Sequence, residues 1–381
     1  VTSALRVLVD ATSIPRTRAG VGRYLEHLIP ALDATAVDLV VAAQPGDAEW
    51  IAAAAPLARV IVPRWPVARR AVRLLWEQLA LPRLAARERA DVIFSPHYTM
   101  PLPTRRPVVV TFHDATFFSH PEVHTPTKSR FFRAWIRLSL RRAAGAVVPS
   151  RATADELVRW TGRRPRALEV AYHGVDAATF RLPTAAERSA AAARLGAPAW
   201  IAYLGTIEPR KNVPALVRAF AAVRSDPEVV ARHPGLVLAL AGGAGWESEL
   251  DAAVAGSGAA DAVRALGFVD DTTLPGLLGG SLVFAYPSLG EGFGMPVAEA
   301  MACGAAVLTT PLLSLPEVGG DVAAYTDPDE ASIAAALRAL LLDDGARLER
   351  AARGPERAAE FTWAASAARH VAAFERARSR R

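Results

Sequence analysis

Short apolar runs recur along the chain, separated by stretches long enough for helices. In the first half the runs are Leu5–Val9, Val37–Ala42, Asp91–Phe94, Pro107–Phe112, Ala146–Pro149 and Leu168–Ala171, each four to six residues and rich in Val, Ile or Ala. Runs that are continuous rather than alternating predict parallel strands covered on both faces. Tyr24–Leu32, Val72–Arg87 and Lys128–Ala144 supply helices between them. After an alanine-rich polar stretch, Pro183–Leu195, the strand pattern resumes with Ala199–Leu204, Leu236–Ala241, Val263–Leu266, Leu282–Tyr286 and Ala306–Thr309. The helices expected here include Val213–Val223, Trp246–Val254, Leu274–Gly279, Pro296–Ala302 and Ala331–Leu341. Two successive sets of strand–helix alternation predict an α/β protein with two doubly wound, Rossmann-like domains and a cleft between them. The expected division is 1–180, 181–358 and a final alanine-rich helix over 359–381, anchored by Trp363, Val371 and Phe374. Ligands of open α/β sheets sit beyond the carboxyl ends of the strands, so the residues that follow each run are the ones to read.

Hydrophobic residues make up 51% of the 381 positions, which supplies two cores and excludes a disordered chain. The single cysteine, Cys303, excludes a disulfide framework and an all-cysteine metal site. No uncharged run of about 18 to 20 residues fits a membrane span. The first residues lack the basic region, apolar region and cleavage site of a secretory signal, so a cytoplasmic protein is expected. Of 44 basic residues only Lys128 and Lys211 are lysines, a bias that a GC-rich genome explains. Residues 1–180 carry 25 basic and 15 acidic side chains, and residues 181–381 carry 19 and 23. The basic first half is either chance unevenness or the mark of an acidic ligand, nucleic acid or anionic membrane. No nucleic-acid-binding signature accompanies it, and no nucleic-acid partner is expected. Arg133, Arg137 and Arg141 recur every four residues and share a helix face. That face is either solvated or touches an anionic membrane or acidic acceptor, which would place the chain peripherally at the inner face of the plasma membrane.

The first strand leads to Arg16-Thr-Arg-Ala-Gly-Val-Gly-Arg-Tyr24. Gly20 and Gly22 allow a backbone to approach a ligand closely, although a tight turn alone would use them equally well. The dinucleotide fingerprint fails, because Leu25 stands where its third glycine belongs, and no phosphate-binding GxxxxGK[ST] sequence occurs. His113, in Thr111-Phe-His-Asp114, follows a strand and suits a polar substrate or proton transfer; Asp114 either orients it or caps the next segment. His120 and His124 are four apart, but Pro121 and Pro126 work against a helical zinc pair, and no metal is expected. The densest constellation is Tyr203-Leu-Gly-Thr-Ile-Glu-Pro-Arg-Lys-Asn212, which contains the sole asparagine. Arg210 offers a planar fork of donors and Lys211 a compact charge, the pair a pyrophosphate needs. A second constellation is Gly290-Glu-Gly-Phe-Gly-Met-Pro-Val-Ala-Glu299. Its loop brings Glu291 and the groups of Gly294, Met295 and Pro296 to the start of a helix that carries Glu299. A carboxylate can hold two vicinal hydroxyls, so Glu299 suits a ribose and Glu291 a sugar; a structural loop with two capping carboxylates is the alternative.

These motifs, together with Tyr172-His-Gly-Val-Asp176, Pro316-Glu-Val318 and Gly320-Asp321, resemble the retaining glycosyltransferases of family 4 (group 1) over nearly the whole chain. The resemblance implies the two-domain GT-B fold and a final helix that packs back on the first domain. It implies that Gly20 and Gly22 approach a donor diphosphate and that His113 contacts the transferred sugar. Arg210 and Lys211 would neutralise the leaving diphosphate. Glu291 would position the sugar, Gly294, Met295 and Pro296 would line the sugar-diphosphate site, and Glu299 would bind the ribose. Phe268 and Val269 would border the base. The implied reaction retains anomeric configuration, is metal-independent, and uses a nucleotide-sugar donor with no other cofactor. GDP-mannose is the favoured donor, with a glycan, glycolipid or lipid-linked acceptor. A UDP-sugar transferase acting on a small metabolite, and a nucleotide-sugar epimerase or binding protein, are the alternatives.

Overall fold

The computed structural model describes residues 4–14, 20–165, 167–243, 245 and 247–379. The chain forms two compact units, Val1–Gly174 with Thr362–Arg381, and Val175–Phe361. The first unit therefore ends at Gly174 rather than at 180, and takes the chain back at Thr362 rather than at 359.

The first unit is built on a seven-stranded parallel sheet. Its strands are β1 (Arg6–Asp10), β2 (Asp38–Ala42), β3 (Arg59–Ile61), β4 (Val92–Ser95), β5 (Val108–Thr111), β6 (Gly145–Val148) and β7 (Leu168–Val170). Their order is β3-β2-β1-β4-β5-β6-β7. Successive side chains of a strand face opposite sides. Thus Val7 and Val9 join one core layer with Tyr24, Leu28 and Phe94, while Leu8 joins the other with Trp76, Phe112 and Ile136. The expected strands are present; β3 is the addition, three partly exposed residues at the sheet edge. The terminal helix Trp363–Arg378 sends Ala367 and Phe374 into the first layer, with the Phe374 ring 5.2 Å from Phe94.

The second unit holds β8 (Trp200–Leu204), β9 (Val237–Ala241), β10 (Val263–Gly267), β11 (Val283–Tyr286), β12 (Val307–Thr309) and β13 (Ala324–Tyr325). They form a parallel sheet of order β10-β9-β8-β11-β12-β13. That order sets the carboxyl ends of β8, β11 and β12 side by side.

Helices also form over Ala48–Ala54, Arg151–Thr161 and Asp344–Ala359, and three stretches read from the sequence take a different form. Val72–Arg87 is two helices, Arg70–Leu79 and Leu81–Arg87, because Pro82 has no N–H to continue the first. Pro183–Leu195 contains the helix Ala185–Leu195, started by a reciprocal capping box between Thr184 and Glu187. The helix expected over Trp246–Val254 is observed as Leu250–Gly256, and Trp246 lies outside the described residues. Among the described residues no helix is long and apolar enough to cross a membrane.

Candidate active site

The second unit assembles its polar cluster where β8 ends. The chain leaves Leu204, passes Glu208 and makes a short 3-10 turn, Pro209–Lys211. Asn212 then takes a left-handed φ of 57° and opens the helix Val213–Arg224. Asparagine tolerates that conformation better than most residues, and its Nδ2 donates to Pro328 O at 2.7 Å. The turn is tied to the loop after β11, since Leu289 N donates to Arg210 O at 2.8 Å.

Arg210 and Lys211 meet Glu291 there. Arg210 Nη1 lies 2.6 Å from Glu291 Oε2 and also donates to Gly290 O at 2.6 Å. Its Nη2 donates to Glu208 Oε1 at 2.6 Å. Lys211 Nζ donates to Glu291 Oε1 at 2.6 Å and to the Tyr286 hydroxyl. Tyr286 Oη and Ser288 Oγ donate to the same Oε1 at 2.9 and 2.8 Å. Burial would raise the Glu291 pKa; the charges of Arg210 and Lys211 outweigh it and hold the carboxyl at about 2. Burial, then Arg210, brings Lys211 below its ordinary value, with Glu291 and Glu208 opposing. The sequence reads two cations open to a diphosphate; the structure places a carboxylate between them.

The glycine-rich loop is braced from the segment that follows β12. Ser314 Oγ lies 2.9 Å from both Glu291 O and Phe293 O, and Thr310 Oγ1 donates to Ser288 O at 2.6 Å. Gly294 precedes the helix Met295–Ala302 with φ 99°, and a Cβ there would stand 2.8 Å from Leu315 Cδ2. Both the angle and the space call for glycine. Glu299 is buried in that helix. Burial, then Glu299, pushes the Cys303 thiol up to about 12, which makes it a poor nucleophile. Phe268 is exposed and Val269 buried, both just after β10.

The first unit gathers other predicted residues. Gly20, at φ 52°, starts the helix Val21–Asp33, whose first turn buries Gly22. Residues 16–19 of that turn lie outside the described residues. Tyr24 of the helix stacks edge-on against His113, with ring centroids 5.0 Å apart. His113 Nε2 donates to Pro96 O at 2.7 Å, and burial lowers its pKa against the opposing effects of that bond and Asp114. Asp114 ties down the start of the next segment: its Oδ1 accepts from Thr116 N and Oγ1. His97 and His173 stand 6.0 and 6.2 Å from His113, and burial lowers both well below the ordinary value. His120 and His124 contact different hydroxyls, those of Ser119 and Thr116. Among the described residues no group of three or more His, Cys, Asp or Glu is placed to hold a metal.

Glu208, Tyr286, Ser288, Thr310 and Ser314 were not singled out from the sequence. Their signal is positional: each ends a strand of one sheet or lies within a few residues after one.

Two doubly wound parallel sheets, one with a cation–carboxylate cluster at the carboxyl end of its central strands, define a GT-B glycosyltransferase. Residues 18–179 match Glycosyltransferase Family 4, and residues 187–358 match the glycosyl transferases group 1. O-antigen chain mannosyltransferase B of Escherichia coli is 32% identical over 292 residues, covering 73% of each chain. Sucrose-phosphate synthase of Thermosynechococcus elongatus shares the fold at TM-score 0.77 and 20% identity, over 98% of each chain. Anabaena HepE, solved with UDP-glucose, does so at 0.74 and 19%, over 97% of this chain and 99% of its own. The chain belongs to the group 1, family 4 glycosyltransferases and is an enzyme of the class that acts on nucleotide sugars.

Proposed function

We propose that the chain transfers a hexosyl group from a nucleoside diphosphate sugar to a hydroxyl of a glycan or glycolipid, with retention of configuration. The observation that carries this reading is the Arg210–Lys211–Glu291 cluster at the end of β8. As the glycosidic bond breaks, its electron pair stays on the departing phosphate. Arg210, Lys211 and the amides of Gly294 and Met295 stabilise that growing charge more than the ground state; Pro296 adds no N–H. The diphosphate takes Glu291's place on the two cations, and the released carboxylate holds sugar hydroxyls. Glu299 binds the ribose, and Phe268 and Val269 border the base. In the first unit, His113 contacts the transferred sugar, and Gly20 and Gly22 approach the diphosphate. The acceptor attacks from the face the phosphate leaves, and a phosphate oxygen takes its proton.

The Escherichia coli relative is named a mannosyltransferase, which supports a mannosyl donor, GDP-mannose. HepE was solved with UDP-glucose, which supports a UDP-sugar as the second reading. A donor panel with mixed glycan and lipid acceptors, followed by mass spectrometry, separates the two. A glycosylated acceptor with unchanged anomeric configuration is expected. A covalent sugar adduct on Glu291 or His113, or free sugar released without transfer, would refute the proposed route.

A further inference from the structure

The terminal helix Trp363–Arg378 brings a polar group as well as apolar ones into the first unit. Its His370 Nε2 lies 2.7 Å from Oη of Tyr24, on the helix Val21–Asp33. Tyr24 Oη lies in turn 3.1 Å from Oγ1 of Thr111, at the end of β5. All three residues are buried. Ser366 O can only accept, so His370 Nδ1, 2.7 Å from it, carries the ring proton. Burial keeps this imidazole neutral at pH 7. Nε2 therefore accepts, Tyr24 donates its phenolic proton to it, and Thr111 donates to Tyr24. Three segments distant in sequence are tied together at one buried phenol.

That phenol belongs to the ring that packs on His113. The planes of Tyr24 and the imidazole cross at 84°. Tyr98 also meets the imidazole edge-on, at 5.8 Å and 76°, and its hydroxyl accepts from Asp114 N at 3.1 Å. Because His113 Nε2 donates to Pro96 O, the accepting nitrogen of the neutral ring is Nδ1. A ring held by one hydrogen bond can still turn about it, and the edge contacts fix its plane. Thr111 stands two residues before His113, so the bonded chain holds both the backbone that carries the imidazole and the ring against it. Phenylalanine would fill the space of Tyr24 with no hydroxyl to satisfy; the phenol is what the bonded chain requires.

We propose, on the reading of His113 as a contact of the transferred sugar, that Tyr24 and His370 are positioning residues. Through the phenol they hold the His113 imidazole in the orientation that presents Nδ1 to a hydroxyl of the donor's sugar. The terminal helix thereby takes part in recognising the sugar and leaves the nucleotide untouched.

The test is calorimetric titration of the full chain with GDP-mannose beside GDP and with UDP-glucose beside UDP. For the donor that the unmodified chain binds, Tyr24→Phe should weaken the nucleotide sugar about fivefold, the fold-change of one neutral hydrogen bond, and the bare nucleotide by less than about twofold. His370→Leu should act in the same way. His370→Gln, whose amide oxygen can accept the phenolic proton, should bring the sugar affinity back to within about twofold. Added to His113→Ala, Tyr24→Phe should have almost no further effect, because residues that act through one another are not additive. Glu169→Gln loosens the same helix where Arg369 and Arg376 meet Glu169 on β7; it should lower melting and leave the sugar affinity at the unmodified level. Equal weakening of sugar donor and nucleotide by Tyr24→Phe would overturn the proposal. So would additive losses with His113→Ala, or a loss of sugar affinity in Glu169→Gln as large as in Tyr24→Phe. Full affinity for the nucleotide sugar in His113→Ala would refute the reading of His113 itself, whereas a loss there with none in Tyr24→Phe would overturn this inference alone.

Discussion

Replacing Glu291 by glutamine removes one charge at almost constant volume, and the structure sets the size of the effect. The carboxylate accepts from Lys211 Nζ, Tyr286 Oη and Ser288 Oγ on one oxygen and faces Arg210 on the other. Burial opposes its ionisation, yet the two cations hold its pKa at about 2 against an ordinary 4.5. At about 1.4 kcal/mol for each pH unit, that difference stabilises the folded state by roughly 3 kcal/mol. The contribution is present above pH 4.5 and is lost as pH falls through about 2. At pH 7 the glutamine variant lacks it, and of the carboxylates described above Glu208 is left beside Arg210. For a unit of this size about 2 to 4 °C accompany each kcal/mol, so melting should fall by roughly 10 °C.

The same arithmetic predicts how nucleotide acts on the variant. In the proposed donor placement, a diphosphate brings back negative charge where the substitution removed it. UDP or GDP should therefore raise the melting temperature of Glu291→Gln by more than that of the unmodified chain, and bind the variant at least as tightly. Transfer should fall by about 100-fold or more if Glu291 positions the reacting sugar as proposed. Thermal scans with and without nucleotide, calorimetric titration and initial rates read the three quantities separately. An unchanged melting temperature would refute the electrostatic argument. A loss of nucleotide affinity equal to the loss of turnover would show that Glu291 serves the nucleotide and not the sugar.

Two further outcomes follow from single positions. Gly294→Ala combines φ 99° with a Cβ 2.8 Å from Leu315 Cδ2, so it should cost about 1 to 3 kcal/mol and weaken nucleotide binding; melting and titration at the level of the unmodified chain would contradict this. His370 is buried, bonded to Tyr24 Oη at 2.7 Å and Ser366 O at 2.7 Å, and burial lowers its pKa from 6.5 to about 4. The unfolded chain then takes up the proton first, so stability falls as pH drops from 6.5 towards 4, by about 2 kcal/mol at pH 5. Urea unfolding at pH 7.5 and 5 should show this loss shrinking in His370→Gln, and identical losses in both proteins would refute it.

How far the sequence exposed all this depends on what each residue touches. A central parallel strand is apolar on both faces, so β1, β4 and β8 stand out as runs. The edge strands β3 and β13 have only a partner on one side and are two or three residues long, too short for any periodicity. Capped helices escaped for another reason: Arg151–Thr161 and Ala185–Leu195 carry so much polar or alanine surface that their start signals, Ser150 and Thr184, are stronger than their periodicity. In the site, Lys211 and Asn212 were conspicuous because this chain almost never uses either residue. Their surroundings were not, because Glu291 lies 80 residues from Lys211 and reaches it only through the adjacency of β8 and β11. A linear motif reports which charges are present, and the strand order decides which of them cancel. The sequence reading therefore found the cations and the carboxylate yet placed them as separate grips on a donor, whereas the fold joins them before any donor arrives. On the proposed donor placement, that joining makes donor binding an exchange of one anion for another, and the nucleotide's effect on Glu291→Gln is the sharpest measure of whether the cluster is built for a diphosphate.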